Sequence, residues 1–143
     1  MSQAAQTTPT TSAAQPATDP GDVAYEAAVA RYFAAWNATD PTERAHAVAA
    51  AWTEDGSYTD PLADVSGHAQ LAAVIAGAQE QFPGYAFRLV GTVDGHHHTA
   101  RFRWELVSTA DGSAPVAGSD VLTLAEDGRA SAVFGFLDRV PTA

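Results

Sequence analysis

Cysteine is absent from this chain, which excludes a disulfide framework, a thiolate nucleophile and a zinc–cysteine site. Basic residues are few: seven Lys and Arg stand against seventeen Asp and Glu, for a formal net charge of -10. Nucleic acids and anionic membranes attract clustered Lys and Arg, so neither is an expected partner. No apolar run approaches the roughly 18 residues that a membrane-spanning helix needs. The N-terminus has neither the basic nor the apolar stretch of a secretory leader. A soluble, cytoplasmic protein is expected. The glycines are scattered at turns instead of forming a phosphate loop, and no Gly-x-Ser-x-Gly nucleophile motif occurs. What is present is a chain of 143 residues with 46% hydrophobic content, enough for one domain with a core.

Residues 1–21 are mostly Ala, Thr, Gln, Ser and Pro. Such a composition cannot offset the entropy of ordering, so a disordered tail is expected there and a single folded domain over 22–140. Within the domain, Tyr25, Val29, Tyr32 and Trp36 repeat on one face of a first helix, with Phe33 beside them. Asp40-Pro41-Thr42-Glu43 has the form of a helix start, with Asp40 as N-cap and Pro41 in the first turn. Ala45, Val48, Ala49 and Trp52 are the expected buried stripe of this second helix. Glu54-Asp55-Gly56 reads as a turn, Ser57 to Thr59 as a short strand, and Leu62 to Gly67 as a loop. Leu71, Val74, Ile75, Ala78 and Phe82 mark a third helix that Pro83-Gly84 stops.

From Tyr85 the apolar period changes to two. Asp94-Gly95, Asp111-Gly112 and Asp127-Gly128 divide the remainder into hairpin-linked strands. On these strands Ala100, Phe102, Trp104 and Leu106 alternate with Arg101, Arg103 and Glu105, Val116, Gly118, Asp120, Leu122 and Leu124 share one face of the next strand, and Ala130, Ala132, Phe134 and Phe136 share a face of the last. Three helices followed by an antiparallel meander make an α+β domain.

Two acids stand out. Asp60 precedes Pro61, which drives it toward an extended conformation at a strand tip; the bland reading is a solvated turn starter. Asp120 lies by parity on the sheet face that packs against the helices. A lone carboxylate there must be paired, hydrogen-bonded or protonated. A helix N-terminus, Arg101 or Arg103 could pair it; alternatively it is a functional acid. Tyr32 adds a buried phenol that needs a partner. An apolar cavity with these three groups suits proton transfer, one carboxylate abstracting a proton next to a carbonyl and the other groups holding the enolate oxygen.

The segments Arg31 to Asp40, Tyr58-Thr59-Asp60-Pro61, Ser66-Gly67 and Ser119-Asp120 resemble the nuclear-transport-factor-2-like superfamily, to which SnoaL-like proteins and ketosteroid isomerases belong. The resemblance spans Val23 to Asp138. It implies a cone-shaped fold, three helices packed on a curved antiparallel sheet, with a pocket at the open end. Tyr32 falls at the isomerases' oxyanion tyrosine, Asp60 at their general base, and Asp120 at their protonated aspartic acid. Ile75 departs from the tyrosine that the isomerases keep there, which argues against a steroid. The pocket is expected to be lined by Trp36, Trp52, Tyr58, Ile75 and Phe82, and by Phe87, Phe102, Trp104, Leu122, Phe134 and Phe136 on later strands.

The expected function is cofactor-free isomerisation or cyclisation of an apolar carbonyl compound, with a homodimer formed through the sheet face carrying Arg88, Arg101, Arg103 and Glu105. Two other readings stand beside it: a non-catalytic pocket for a hydrophobic ligand, and an epoxide hydrolase using Asp120 with Arg101 or Arg103. No metal site is expected. His96-His97-His98 reads as a polar strand start, because alternate side chains of a strand point apart and cannot all share one metal.

Overall fold

The computed structural model describes residues 20–141. The tail expected over 1–21 lies outside them except for its last two residues, which open the first helix. The elements are α1 (Pro20–Asn37), α2 (Pro41–Ala51), β1 (Trp52–Thr59), β2 (Asp64–Ser66), α3 (His68–Gln81), β3 (Tyr85–His96), β4 (Thr99–Ser108), β5 (Val116–Leu124) and β6 (Ala130–Arg139). The six strands form one sheet in the order β2-β1-β6-β5-β4-β3. Among the described residues no helix is long and apolar enough to cross a membrane.

Helix α2 starts where local chemistry dictates. Asp40 accepts the Glu43 N–H at 2.9 Å, and Pro41 occupies the first turn. Its expected stripe needs correction: Val48 and Ala51 are buried, whereas Ala45 and Ala49 are exposed. Trp52 is extended, not helical, and opens β1 with its ring fully buried. Glu54-Asp55-Gly56 is not a turn but the bulged middle of β1, where the register with β6 shifts between Trp52 and Ser57. Gly56 is needed there, because a side-chain carbon would come within 2.8 Å of Trp52 Cδ1. The expected loop over 62–67 contains the short strand β2, antiparallel to β1.

The meander β3-β4-β5-β6 is antiparallel as expected, but β1 joins β6 in parallel, so the sheet is mixed. The first hairpin turns later than its Asp94-Gly95 signal suggests. Strand β3 runs through both residues, and the turn falls at His97-His98, with His97 at φ 51°. Gly95 lies under the Tyr25 ring, where a side-chain carbon would be 2.5 Å from Cδ2, and the Tyr25 hydroxyl donates to the His97 carbonyl at 2.9 Å. Packing against α1 therefore overrides the turn preference. The histidine run ends one strand and forms the turn instead of starting a strand.

On β6 the expected face is also wrong. Leu124 pairs with Ala130 but Thr123 pairs with Ala132, so Ser131 is an extra residue that reverses the parity of the strand beyond it. Val133 and Gly135 face inward, while Phe134 and Phe136 are 42% and 60% exposed. The core between helices and sheet contains Val29 and Ala35 of α1, Val48 of α2, Leu71 and Ile75 of α3, Phe102 of β4, Leu122 of β5 and Val133 of β6.

Candidate functional site

Three adjacent strands carry the two acids to one place. Thr59 of β1 pairs with Phe134 of β6, so the next residue, Asp60, comes level with Gly135. Gly135 in turn pairs with Asp120 of β5. A side-chain carbon on Gly135 would lie 2.9 Å from Asp120 Oδ1, 3.4 Å from Asp60 Cβ and 3.4 Å from Tyr58 Oη. Both acids therefore flank a residue that has no side chain.

Asp60 does two jobs at once. Its Oδ1 accepts the backbone N–H groups of Leu62 and Ala63, both at 2.8 Å, which closes the Asp-Pro turn. Its Oδ2 accepts the Tyr58 hydroxyl at 2.6 Å. One oxygen thus closes the turn and the other is held by Tyr58, so Asp60 is not the solvated turn starter of the bland reading.

Asp120 is 2% exposed. Neither Arg101 nor Arg103 reaches it: both are exposed, and Arg101 pairs with Asp94 at 3.0 Å. Its partners are neutral. Tyr32 donates its hydroxyl to Oδ2, and Trp104 donates its indole N–H to Oδ1 at 3.1 Å. Burial pushes the Asp120 carboxyl up to about 6; the donors Tyr32 and Trp104 oppose the rise, and the charges of Asp60 and Asp138 add to it. Burial, followed by the charge of Asp120, holds Tyr32 and Tyr58 well above the usual tyrosine range. Both phenols thus remain donors.

These groups form the polar end of a cavity of about 420 Å³. Its walls include Phe33 and Trp36 of α1, Val74 and Ala78 of α3, and Leu106 and Val116 of the sheet, while Leu62, Val140 and Pro141 are exposed lining residues. Tyr32, Asp60 and Asp120 all line it. Of the residues expected to line it, Trp36, Tyr58, Phe82, Phe87 and Trp104 do so. Trp52, Ile75, Phe102 and Leu122 instead pack into the solid core, and Phe134 and Phe136 face outward. Strand parity says which face a side chain takes; it does not say whether a helix or a void covers it. The hydrogen bonds of Trp104 and Tyr58, and the empty position at Gly135, had no sequence signal beyond the residue types. The indole nitrogen of Trp36 is buried without a hydrogen-bond partner among the described residues. No cluster of His, Asp and Glu among those residues could hold a metal ion.

Residues 29–133 match the model of the SnoaL-like domain. The chain belongs to the SnoaL-like family. A SnoaL-like protein from Agrobacterium tumefaciens, named as a candidate isomerase, is 43% identical over 81% of this chain and 98% of its own, with a TM-score of 0.77. A candidate SnoaL-like polyketide cyclase from Jannaschia is 20% identical over 85% of this chain and 90% of its own, with a TM-score of 0.69. A nuclear-transport-factor-2-like protein of unknown function from Cytophaga hutchinsonii is 12% identical over 80% and 89%, with a TM-score of 0.56. The latter two share the fold, the α+β cone that the sequence resemblance implied. No curated protein matches the sequence.

Proposed function

We propose that this SnoaL-like pocket is an acid–base site that moves a proton on an apolar carbonyl compound, by isomerisation or cyclisation. The observation that carries this reading is that Asp60 and Asp120 flank Gly135 and both line one largely apolar cavity, in unequal surroundings. Asp60 is half-buried at the strand tip and oriented by three donors. It is the general base: its carboxylate takes a proton from the carbon next to the carbonyl. The C–H electrons form a C=C bond, and the carbonyl π electrons move to oxygen. Tyr32, backed by Asp120, donates to that oxygen as its charge develops. Return of the proton to a conjugated carbon completes an isomerisation with no cofactor. Burial already raises the Asp120 carboxyl to about 6, and exclusion of water from the cavity by an apolar ligand acts in the same direction, toward the neutral form.

Loss of α-proton exchange in an unsaturated ketone on Asp60→Asn, followed by NMR in deuterated water, tests the assignment. Undiminished exchange would leave a pocket that only binds hydrophobic ligands, a reading favoured by the fixed hydrogen bonds of Asp60. The epoxide-hydrolase reading gains no support, because Arg101 and Arg103 lie outside the pocket lining.

The homodimer remains part of this proposal. The outer sheet face carries Arg88, Arg101 and Arg103, and the reversed parity of β6 adds exposed Phe134 and Phe136. Aromatics within a polar surround suit a protein interface. Light scattering at micromolar concentration decides between dimer and monomer. The cytoplasmic location is likewise a proposal, checked by cell fractionation.

A further inference from the structure

The indole of Trp104 lies where a strand ordinarily has no room for it. Trp104 pairs with Gly118 across the β4–β5 ladder. A side-chain carbon on Gly118 would be 2.3 Å from Trp104 Cζ2 and 2.5 Å from the Phe136 carbonyl oxygen. The ring occupies the position that a residue other than glycine would fill. Packed there, it brings its N–H to Asp120 Oδ1 at 3.1 Å, while Oδ2 faces Tyr32.

We propose that Trp104 is a positioning residue that selects which oxygen of Asp120 carries the proton, and thereby decides whether Tyr32 donates to the protein or to the ligand. An N–H directed at Oδ1 favours negative charge on that oxygen, so the proton of neutral Asp120 resides on Oδ2. The Tyr32–Asp120 pair then has two arrangements. With Asp120 ionised, the Tyr32 hydroxyl donates to Oδ2 and is spent within the protein. With Asp120 neutral, Oδ2–H donates to the Tyr32 oxygen, and the phenol proton is released toward the cavity. A carbonyl or enolate oxygen of the ligand then receives it. No proton is gained or lost in the turn of the phenol; the only ionisation is that of Asp120.

The groups that face Asp120 are limited. Tyr32 comes from α1, Tyr58 and Asp60 from β1 and its end, and Asp138 from β6; Trp104 of β4 brings a donor without charge. Removing the indole N–H removes a donor to the charged form and leaves the repulsion of the other acids in place. Asp120 should then hold its proton to higher pH.

The kinetic consequence of this inference rests on the acid–base reading, but its test needs no turnover. In protein labelled with ¹⁵N and with ¹³C at the aspartate carboxyls, one indole N–H should titrate with the same midpoint as one buried carboxyl. Trp52 donates to the Ser57 carbonyl and Trp104 donates to Asp120 itself, so the responding resonance should be the one that disappears in Trp104→Phe. Trp104→Phe should abolish that resonance and raise the carboxyl midpoint by roughly one to two units. Gly118→Ala should displace the indole and shift the midpoint the same way with the tryptophan retained. An unmoved midpoint in folded Trp104→Phe would overturn the proposal. If that variant does not fold, the wild-type titration decides: an indole set in which no signal follows the carboxyl overturns it, and one that does supports it. Failure of the proton-transfer reading would appear only in exchange assays and leave these titrations unchanged.

Discussion

Gly135 stands opposite Asp120 in the β5–β6 ladder, and a side-chain carbon on it would fall 2.9 Å from Asp120 Oδ1. The same carbon would make ordinary contact with Asp60 Cβ and Tyr58 Oη at 3.4 Å, so a methyl group would displace Asp120 and lie against the rest of the polar cluster. Gly135→Ala is expected to cost about 1–3 kcal/mol of stability through overpacking. It should also remove proton exchange more completely than that loss explains. Thermal melts beside the exchange assay separate the two effects; full activity in the alanine variant would deny the two acids a common task.

Asp60→Asn keeps the oxygen that accepts from Leu62 and Ala63, and a rotated Tyr58 hydroxyl can meet the new amide. The turn should survive, with a change in stability of about 1 kcal/mol or less. Turnover should fall by roughly 10²–10⁴, the usual contribution of a positioned base, while affinity for an apolar ketone holds. Equilibrium binding and exchange rates on the same preparation check both halves.

Asp120 makes the folded state pH-sensitive in a definite direction. Its carboxyl is raised from 3.8 to about 6, so folding takes up a proton between those values. The stability this group lends is present in full below about pH 4 and is lost as pH rises through 6, on the order of 3 kcal/mol at most. Asp120→Asn has no charge to bury and should lack this dependence. Denaturant melts at pH 5 and pH 8 should show the variant gaining on wild type at the higher pH. A difference that stays constant would mean that Asp120 titrates normally.

Asp120→Leu distinguishes a buried acid without partners from the one observed. From sequence alone, exchanging a lone buried carboxyl for an apolar residue promises stability. The structure reverses that expectation, because leucine would strand the Tyr32 hydroxyl and the Trp104 N–H inside the protein. Each orphaned donor costs about 1–3 kcal/mol, so a loss of about 2–6 kcal/mol is expected by chemical denaturation.

The legible parts of this protein were those decided over a few residues. Asp40 and Pro41 start a helix because one side chain satisfies an orphan N–H and one ring presets the backbone. Asp60 ends a strand because proline comes next. Asp120 faces the core because side chains alternate along any strand. Tyr32, Asp60 and Asp120 could therefore be named from sequence, with the family resemblance to join them, and all three line the cavity.

The remainder depended on what lies across from each residue. Ser131 adds one step to β6 and turns Phe134 and Phe136 outward, yet nothing in its neighbours announces a bulge. Asp94-Gly95 has hairpin chemistry, but the Tyr25 ring needs the bare backbone of Gly95, and the turn moves on to the histidines. The parallel pairing of β1 with β6 joins segments more than 70 residues apart. It alone sets Asp60 beside Gly135 and, across it, Asp120. Local propensity determines an element and the direction its side chains take. Which void they surround, and which donor reaches which oxygen, is decided by steric fit between strands and helices distant in the chain.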